Sequence, residues 1–112
     1  MQLESKKYLY DIAQAAKKVS RFIGNKNFNH HKAEDLLKSG VERQFEIMGE
    51  ALNQLSKIDK ACIENITDYQ QIISFRNILI HGYAEVDDRL VWNIIESKLP
   101  TLLQDVKFLL DE

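Results

Sequence analysis

The sequence contains little of the material from which loops and hairpins are built. Four glycines and one proline occur among its 112 residues, and no segment alternates apolar and polar residues as a half-buried strand does. These shortages argue against a β-rich domain and predict a chain that is mostly helix. The length is that of one domain, residues 1–112, without internal repeats or low-complexity tracts.

Cysteine and long apolar runs are also scarce. Cys62 is the single cysteine, so no internal disulfide can form, and we interpret it as a small buried hydrophobic residue. No apolar run approaches the roughly eighteen residues of a membrane span, and the N-terminus lacks the apolar segment of a signal peptide. We therefore expect a soluble cytoplasmic protein that does not enter a membrane.

Residues that could ligate a metal ion are few and badly spaced. His30 and His31 are adjacent, so they point apart on any regular element, and they lack the i, i+3 or i+4 spacing of paired ligands on a helix. Cys62 has no histidine near it in the sequence. The sequence thus predicts no metal site and no cofactor, and it places both histidines in a surface loop.

The charge balance is not that of a dedicated nucleic-acid scaffold, because the net charge is −2 whereas such domains are strongly basic. The charges are unevenly distributed, however. Residues 1–32 carry a net charge of +5, and residues 33–112 carry −7. A basic first helix can contact phosphates or attract the acidic part of a neighbouring subunit, and a solvated basic face explains it equally well.

Apolar residues at helical spacing predict an all-α fold with four main helices. The expected helices cover residues 2–22, 33–58 (with a break near Ser39 and Gly40), 68–81 and 88–110. Thr67 or Asp68 is a suitable N-cap for the third helix, and Pro100 kinks or splits the last one. The helices are expected to form an antiparallel bundle. The crowded apolar residues of 90–95 cannot all face one core, which favours a homodimer.

The third helix, DYQQIISFRNILIHGY, places its charged residues in unusual positions. Arg76 lies within the broadest apolar face, and arginine is rarely buried without a partner. Either a carboxylate such as Glu46 or Glu50 pairs with it, or this face lines a cleft. His81 ends the helix, where the helix dipole favours a cation and an imidazole can serve as an acid or base. Gly82 then provides the left-handed residue that commonly follows a helix end.

Two smaller features accompany these residues. Asn77 lies one helical turn before His81, so it is placed to orient the imidazole ring. Gly49 lies beside the apolar stripe of the second helix, where a missing side chain permits a close helix contact. The pattern is equally consistent with a glycine that has no packing role.

Four blocks of the sequence together carry a family resemblance. Arg76, His81 and Tyr83 form an R-x4-H-x-Y pattern in the block RNILIHGY. The other blocks are YLYDIAQA from Tyr8, RQFEIMGEAL from Arg43 and VDDRLVWNIIESKLPTL from Val86. In this order they resemble the helices of the HEPN superfamily, in the branch that contains the HepT toxins. The resemblance covers nearly the whole chain.

The resemblance implies a metal-independent endoribonuclease toxin that acts as a homodimer and cleaves RNA in a cleft between its subunits. It assigns catalysis to Arg76 and His81, with Asn77 as the supporting polar residue that often follows the motif arginine and contacts RNA. It also implies a cognate antitoxin, a minimal nucleotidyltransferase of the MntA kind. That antitoxin would silence the toxin by transferring AMP from ATP onto Tyr83.

A second function belongs to another class. The chain can be a non-catalytic helical partner that binds nucleotide or gives a nucleotidyltransferase a dimeric platform, with Arg76 and His81 holding phosphate only. The intact motif favours the ribonuclease. The acidic body and the lack of a clear basic RNA track in the sequence favour the non-catalytic partner.

Overall fold

A computed structural model describes residues 1–82 and 86–111 of the chain. These residues form helices and no strand, which confirms the predicted all-α fold. In chain order the helices are α1 (Leu3–Ile23), α2 (Phe28–Ala33), α3 (Asp35–Ile58), α4 (Lys60–Ile63), α5 (Tyr69–His81), α6 (Asp88–Ser97) and α7 (Leu99–Leu109). No helix in the described ranges is long and apolar enough to cross a membrane.

α1 and α3 form the centre of the bundle and run antiparallel. Their apolar stripes face each other, so that Ile12 of α1 and Phe45 of α3 are fully buried. The hydroxyl of Ser5, near the start of α1, donates a 2.7 Å hydrogen bond to the carboxylate of Asp59, just past the end of α3. α3 continues without a break through Gly40, so the interruption expected there is absent.

The remaining helices cover this central pair. α5 packs against α3, α7 packs against α1, and α6 contacts both α7 and α2. Pro100 lies in the first turn of α7, where its missing N–H costs no hydrogen bond. Of the two predicted effects of Pro100, a kink or a split, the structure shows the split, with α6 ending at Ser97 and α7 beginning at Leu99. The four main helical regions are α1, α3, α5 and the α6–α7 pair, while α2 and α4 are short connecting helices.

The segment around His30 and His31 is a short helix rather than the predicted surface loop. The Asn27 side chain accepts from the His30 backbone N–H at 3.0 Å, and His30 Nδ1 accepts from the Asn27 N–H at 3.3 Å, a capping box that starts α2. His31 is 0% exposed, and its ring centre lies 5.5 Å from that of Trp92. The prediction was wrong because asparagine favours helix N-caps for the same reason that it favours turns.

Charged contacts fix the corner that precedes α5. Asp68 stands at the N-cap position, as predicted, but it is left-handed with φ 58° and its side chain makes no capping bond. Its carboxylate instead accepts from Lys98 Nζ at 2.9 Å. The backbone N–H of Thr67 donates to the Asp105 carboxylate at 2.8 Å. These contacts tie the start of α5 to the α6–α7 pair.

Candidate active site

α5 buries one side only, and Arg76 lies near the edge of that side. Phe75 is buried and meets Phe45 of α3 edge to face, with ring centres 5.3 Å apart. In contrast, Ile78 and Ile80 are 49% and 46% exposed. The distribution of apolar residues around α5 favours a helix that is buried on most sides. The structure corrects this, because α5 packs mainly against α3 and leaves its other side open.

Gly49 allows α3 to approach Arg76. A Cβ atom at position 49 would lie 2.6 Å from Arg76 Cγ and closer still to Arg76 Cβ. Any side chain at this position would therefore force the two helices apart. Of the two interpretations of Gly49, the structure shows the close helix contact rather than an incidental glycine, and the Arg76 side chain is 19% exposed.

Two side chains hold the guanidinium group of Arg76. Nη2 donates to Oε2 of Glu50, and Nη1 donates to Oδ1 of Asn77 at 2.8 Å. Nε is buried and has no hydrogen-bond partner among the described residues. Each terminal nitrogen carries two N–H groups, so one on each remains for a further acceptor. Of the two predicted carboxylates, Glu50 is the partner, while Glu46 pairs with Arg43 at 3.4 Å.

A cavity of about 330 Å³ opens beside Arg76 and is called the Arg76 cavity below. Its lining residues come from α1, α3 and α5: Tyr8, Asp11, Arg43, Glu46, Ile47, Glu50, Ala51, Arg76 and Ile80. Both alternatives drawn from the sequence therefore hold, because Arg76 has a carboxylate partner and also lines a cleft. Sequence reasoning missed Tyr8 and Asp11, whose only signal is their position at the polar border of α1.

His81 lies on a different side of α5 from Arg76. It is the last residue of the helix and is exposed. Five residues along an α-helix correspond to a rotation of about 140° and a rise of about 7.5 Å. The side chains of Arg76 and His81 therefore leave the helix in divergent directions within one copy. Asn77 is about 40° from His81 around the helix, but its Oδ1 atom is occupied by Arg76.

The residues that follow α5 are only partly described. Gly82 is extended, with φ −70° and ψ 116°, so the left-handed conformation predicted for it is wrong. Glycine permits a positive φ but does not require one. Tyr83 lies outside the described residues, and its assignment as the AMP acceptor stays a prediction.

Cys62, the single cysteine of the chain, does not line the Arg76 cavity. Cys62 is buried as expected, and burial, with a smaller contribution from Asp59, raises the pKa of its thiol. A raised pKa keeps the thiol protonated and unreactive near neutral pH. In residues 1–82 and 86–111, no three His, Cys, Asp or Glu side chains form a group that could hold a metal ion.

Comparison with known proteins identifies the family of the chain. A family model described as "Ribonuclease HepT-like" matches residues 12–109. The chain belongs to the HepT-like ribonuclease family. This confirms the resemblance drawn from the sequence blocks, and the matched range contains Arg76, Asn77 and His81.

Curated relatives of this HepT-like chain match it over nearly its whole length. The candidate RNase MJ1380 of Methanocaldococcus jannaschii is 29% identical over 102 residues, which cover 91% of this chain and 93% of the relative. The probable ribonuclease HepT of Thermococcus cleftensis is also 29% identical over 102 residues, covering 91% and 92%. The candidate RNase TTE0752 of Caldanaerobacter subterraneus is 28% identical over 105 residues, covering 94% and 93%. No solved structure matches at comparable significance.

The HepT-like chain also has an apolar groove between α5 and α6, with a volume of about 450 Å³. Its apolar lining comes from Ile72, Phe75, Ile78, Leu90 and Ile94. Leu90 is 36% exposed. The apolar excess noticed in residues 90–95 is thus divided, with Val91, Trp92 and Ile95 in the core and the other two apolar residues facing this groove.

Proposed function

We propose that this HepT-like chain is an endoribonuclease whose active site is formed by Arg76 and His81 from two copies of the chain. The observation that carries the proposal is the divergence of these two side chains on α5. One copy presents a guanidinium in a cavity and an imidazole on another side of the same helix. A second α5 facing the first supplies two arginines and two histidines around one phosphate.

The proposed reaction needs only proton transfer and charge stabilisation. His81 of one copy takes the proton of a ribose 2′-OH, and the 2′-oxygen attacks the adjacent phosphorus while the bond to the 5′-oxygen breaks. His81 of the other copy protonates that leaving oxygen. The products are a 2′,3′-cyclic phosphate and a 5′-hydroxyl. The free N–H groups of Arg76 stabilise the charge of the phosphorane, and no step of this scheme uses a metal ion.

The open surface of α5 supports a homodimer. Ile78 and Ile80 are about half exposed, and Ile78 continues into the apolar groove beside Leu90. Exposed apolar residues that border a polar strip are typical of protein interfaces. The strip on α5 contains Asn77 and His81, so a dimer formed through this surface brings the two histidines together.

We further propose that a nucleotidyltransferase antitoxin silences the enzyme in the cytoplasm by placing AMP on Tyr83. Tyr83 follows His81 by two residues in the sequence, so the modification brings a phosphate to the end of the helix that carries the catalytic cations. The added negative charge competes with the RNA phosphate for those cations, and the nucleotide obstructs RNA entry.

Cleavage of RNA by purified protein tests the nuclease. The wild type, Arg76→Ala and His81→Ala are incubated with several RNAs in the presence of a chelator. We expect the wild type alone to cleave and to leave cyclic phosphate ends. Equal cleavage by all three proteins, or none by the unmodified wild type, would remove the proposal.

Mass spectrometry tests the modification separately. Protein treated with ATP and a minimal nucleotidyltransferase of the MntA kind should gain AMP on Tyr83. Persistence of the added mass in Tyr83→Phe would show that another residue is the acceptor.

The ion pair between Arg76 and Glu50 favours one alternative, in which the chain is a non-catalytic partner of a nucleotidyltransferase and Arg76 is structural. In that case Arg76→Ala lowers stability and binding to the nucleotidyltransferase, while no RNA is cleaved by any variant. The same set of proteins therefore separates the two functions.

A further inference from the structure

The outward face of α1 concentrates positive charge. On a helical wheel, Lys6, Lys7, Tyr10, Lys18 and Arg21 fall within an arc of about 120°, and this set is called the basic face below. All five are exposed. The apolar residues of α1, such as Leu9, Ile12 and Val19, occupy the opposite side and are fully buried.

The charges of the basic face are largely uncompensated. Lys7 pairs with Asp11 at 3.1 Å, whereas Lys6, Lys18 and Arg21 have no carboxylate partner among the described residues. From Lys6 to Arg21 the four cations extend over 16 residues of α1, or about 22 Å along the helix. A row of cations of this length is complementary to a chain of phosphates rather than to a single anion.

The basic face leads directly to the Arg76 cavity. Asp11, the ion-pair partner of Lys7, lines that cavity together with Tyr8. Lys7 Nζ also lies 5.6 Å from the centre of the Tyr8 ring. An extended ligand bound along α1 therefore passes Asp11, whose carboxylate is paired with Lys7, and enters a cavity in which Arg43 and Arg76 accompany the carboxylates.

We propose that the basic face binds the backbone of single-stranded RNA and guides it to the Arg76 cavity. The lysines and Arg21 contact phosphates, and Tyr10, which is 55% exposed in the middle of the row, stacks on an unpaired base. Positive grooves with exposed aromatic rings are the usual means of binding single strands without sequence preference. The inference rests on the proposed function for its choice of ligand, and it assigns a role to a helix outside the R-x4-H motif.

Binding of a 2′-O-methyl RNA oligonucleotide tests this proposal without cleavage, because the probe lacks the attacking hydroxyl. The dissociation constant is measured against salt concentration for the wild type, for Lys18→Gln/Arg21→Gln, and for the matched control Lys32→Gln/Lys60→Gln. Both variants lose two charges, but the control residues lie on α2 and α4. We expect the α1 variant to bind more weakly and its log–log salt slope to be smaller by about 1.4, since each phosphate contact with a single strand contributes about 0.7.

A second pair of variants tests the stacking. Tyr10→Ala should weaken binding about fivefold or more, and Tyr10→Phe should retain the wild-type affinity, because stacking needs the ring and not the hydroxyl. Equal affinities and salt slopes for the α1 variant and its control would overturn the proposal, as would a wild type that does not bind the probe.

Two further measurements test RNA binding by the basic face separately from the proposed nuclease activity. Sedimentation of the same variants shows whether the basic face instead holds the acidic surface of a second copy, and dissociation of a dimer by Lys18→Gln/Arg21→Gln with unchanged RNA affinity would overturn the RNA track. If the wild type cleaves RNA but the α1 variant binds the probe as well as its control does, the nuclease proposal is kept and only the RNA-binding role of α1 is rejected. Failure of the wild type to cleave any RNA would remove the nuclease, while the probe still reports on α1.

Discussion

Gly49 of α3 and Arg76 of α5 touch so closely that glycine alone fits at position 49. A Cβ atom there would lie 2.6 Å from Arg76 Cγ, and the contact with Arg76 Cβ would be shorter still. Arg76 Cβ is fixed to the backbone of α5, so it cannot turn aside as the end of a flexible side chain would. The proposed catalytic arginine is therefore positioned by a helix contact as well as by hydrogen bonds.

Gly49→Ala should destabilise the protein and displace Arg76. Separating two packed helices to admit one methyl group typically costs about 1–3 kcal/mol. We expect a loss of this size in the free energy of unfolding, measured by urea titration. RNA cleavage should also fall, because the guanidinium moves relative to Glu50 and to the cavity.

Gly40→Ala is the matched control on the same helix. A Cβ at position 40 would lie 3.4 Å from Cε2 of Phe22, a side chain that can shift. Alanine is favoured over glycine within a helix by about 1 kcal/mol, so this variant should be as stable as the wild type or more so. If both variants lost the same stability, glycine flexibility in α3 rather than the contact with Arg76 would be the cause.

Glu50→Gln should lower RNA cleavage more than it lowers stability. One oxygen of Glu50 holds Arg76 Nη2, and Nε2 of Gln54 donates to the other at 3.0 Å. Glu50 is 46% exposed, so the ion pair contributes less than about 1 kcal/mol to folding. Loss of the charge frees the guanidinium to leave its productive position, and errors of about 1 Å can cost a catalyst roughly 100-fold. Cleavage rates and urea midpoints measured together show the contrast.

Glu46→Gln removes the same charge one helical turn away and serves as the comparison for Glu50. Glu46 also lines the cavity but pairs with Arg43 rather than with Arg76. Its cleavage rate should stay much closer to that of the wild type. Equal losses in both variants would mean that overall cavity charge, and not the position of Arg76, governs the rate.

The sequence predicted that Arg76 needs a carboxylate, but it could not choose between Glu46 and Glu50. Both lie on the polar side of α3 and are one turn apart, so the choice depends on how α5 is rotated against α3. Packing of Phe75 on Phe45 and the gap at Gly49 set that rotation. Such contacts join residues far apart in the sequence and leave no periodic signal within one helix.

Sequence patterns gave wrong predictions where one residue type serves two local structures. His30 and His31 were assigned to a surface loop, but Asn27 caps α2, and this helix carries His31 into the core. Gly82 was expected to be left-handed, whereas Asp68 adopts that conformation instead. Apolar periodicity, by contrast, predicted the long helices well, because their buried stripes span many turns.

Ile78→Glu should convert a dimer into monomers. Ile78 is 49% exposed and lines the apolar groove between α5 and α6, so a charge there would be buried without a partner in the proposed interface. Ile58→Glu places the same charge at a residue that is 37% exposed at the end of α3. Sedimentation should show monomers for the first variant and dimers for the second. Dimers in both would locate the interface elsewhere, and a monomeric wild type would remove the composite site.

His31→Phe should stabilise the protein, and the gain should grow as the pH falls. Both ring nitrogens of His31 are buried without a hydrogen-bond partner in the described part of the chain, which costs about 1–3 kcal/mol. Burial also lowers the pKa of His31 below its ordinary value of 6.5; the Asp88 carboxylate opposes this effect and Lys38 adds to it. Phenylalanine removes the unpaired nitrogens and keeps a ring against Trp92.

The direction of the pH effect follows from which state binds the proton. Below pH 6.5 the unfolded chain protonates His31 while the folded chain resists, so wild-type stability falls on acidification through this range and is fully present above it. Urea midpoints at pH of about 7.5 and about 5.5 should therefore differ more between wild type and His31→Phe at the lower pH. The comparison variant His30→Gln keeps a residue that can complete the capping box, and since His30 is exposed, its midpoints should follow the wild type. If His31→Phe gains the same stability at both pH values, the unpaired nitrogens account for the whole gain and proton uptake by His31 accounts for none of it.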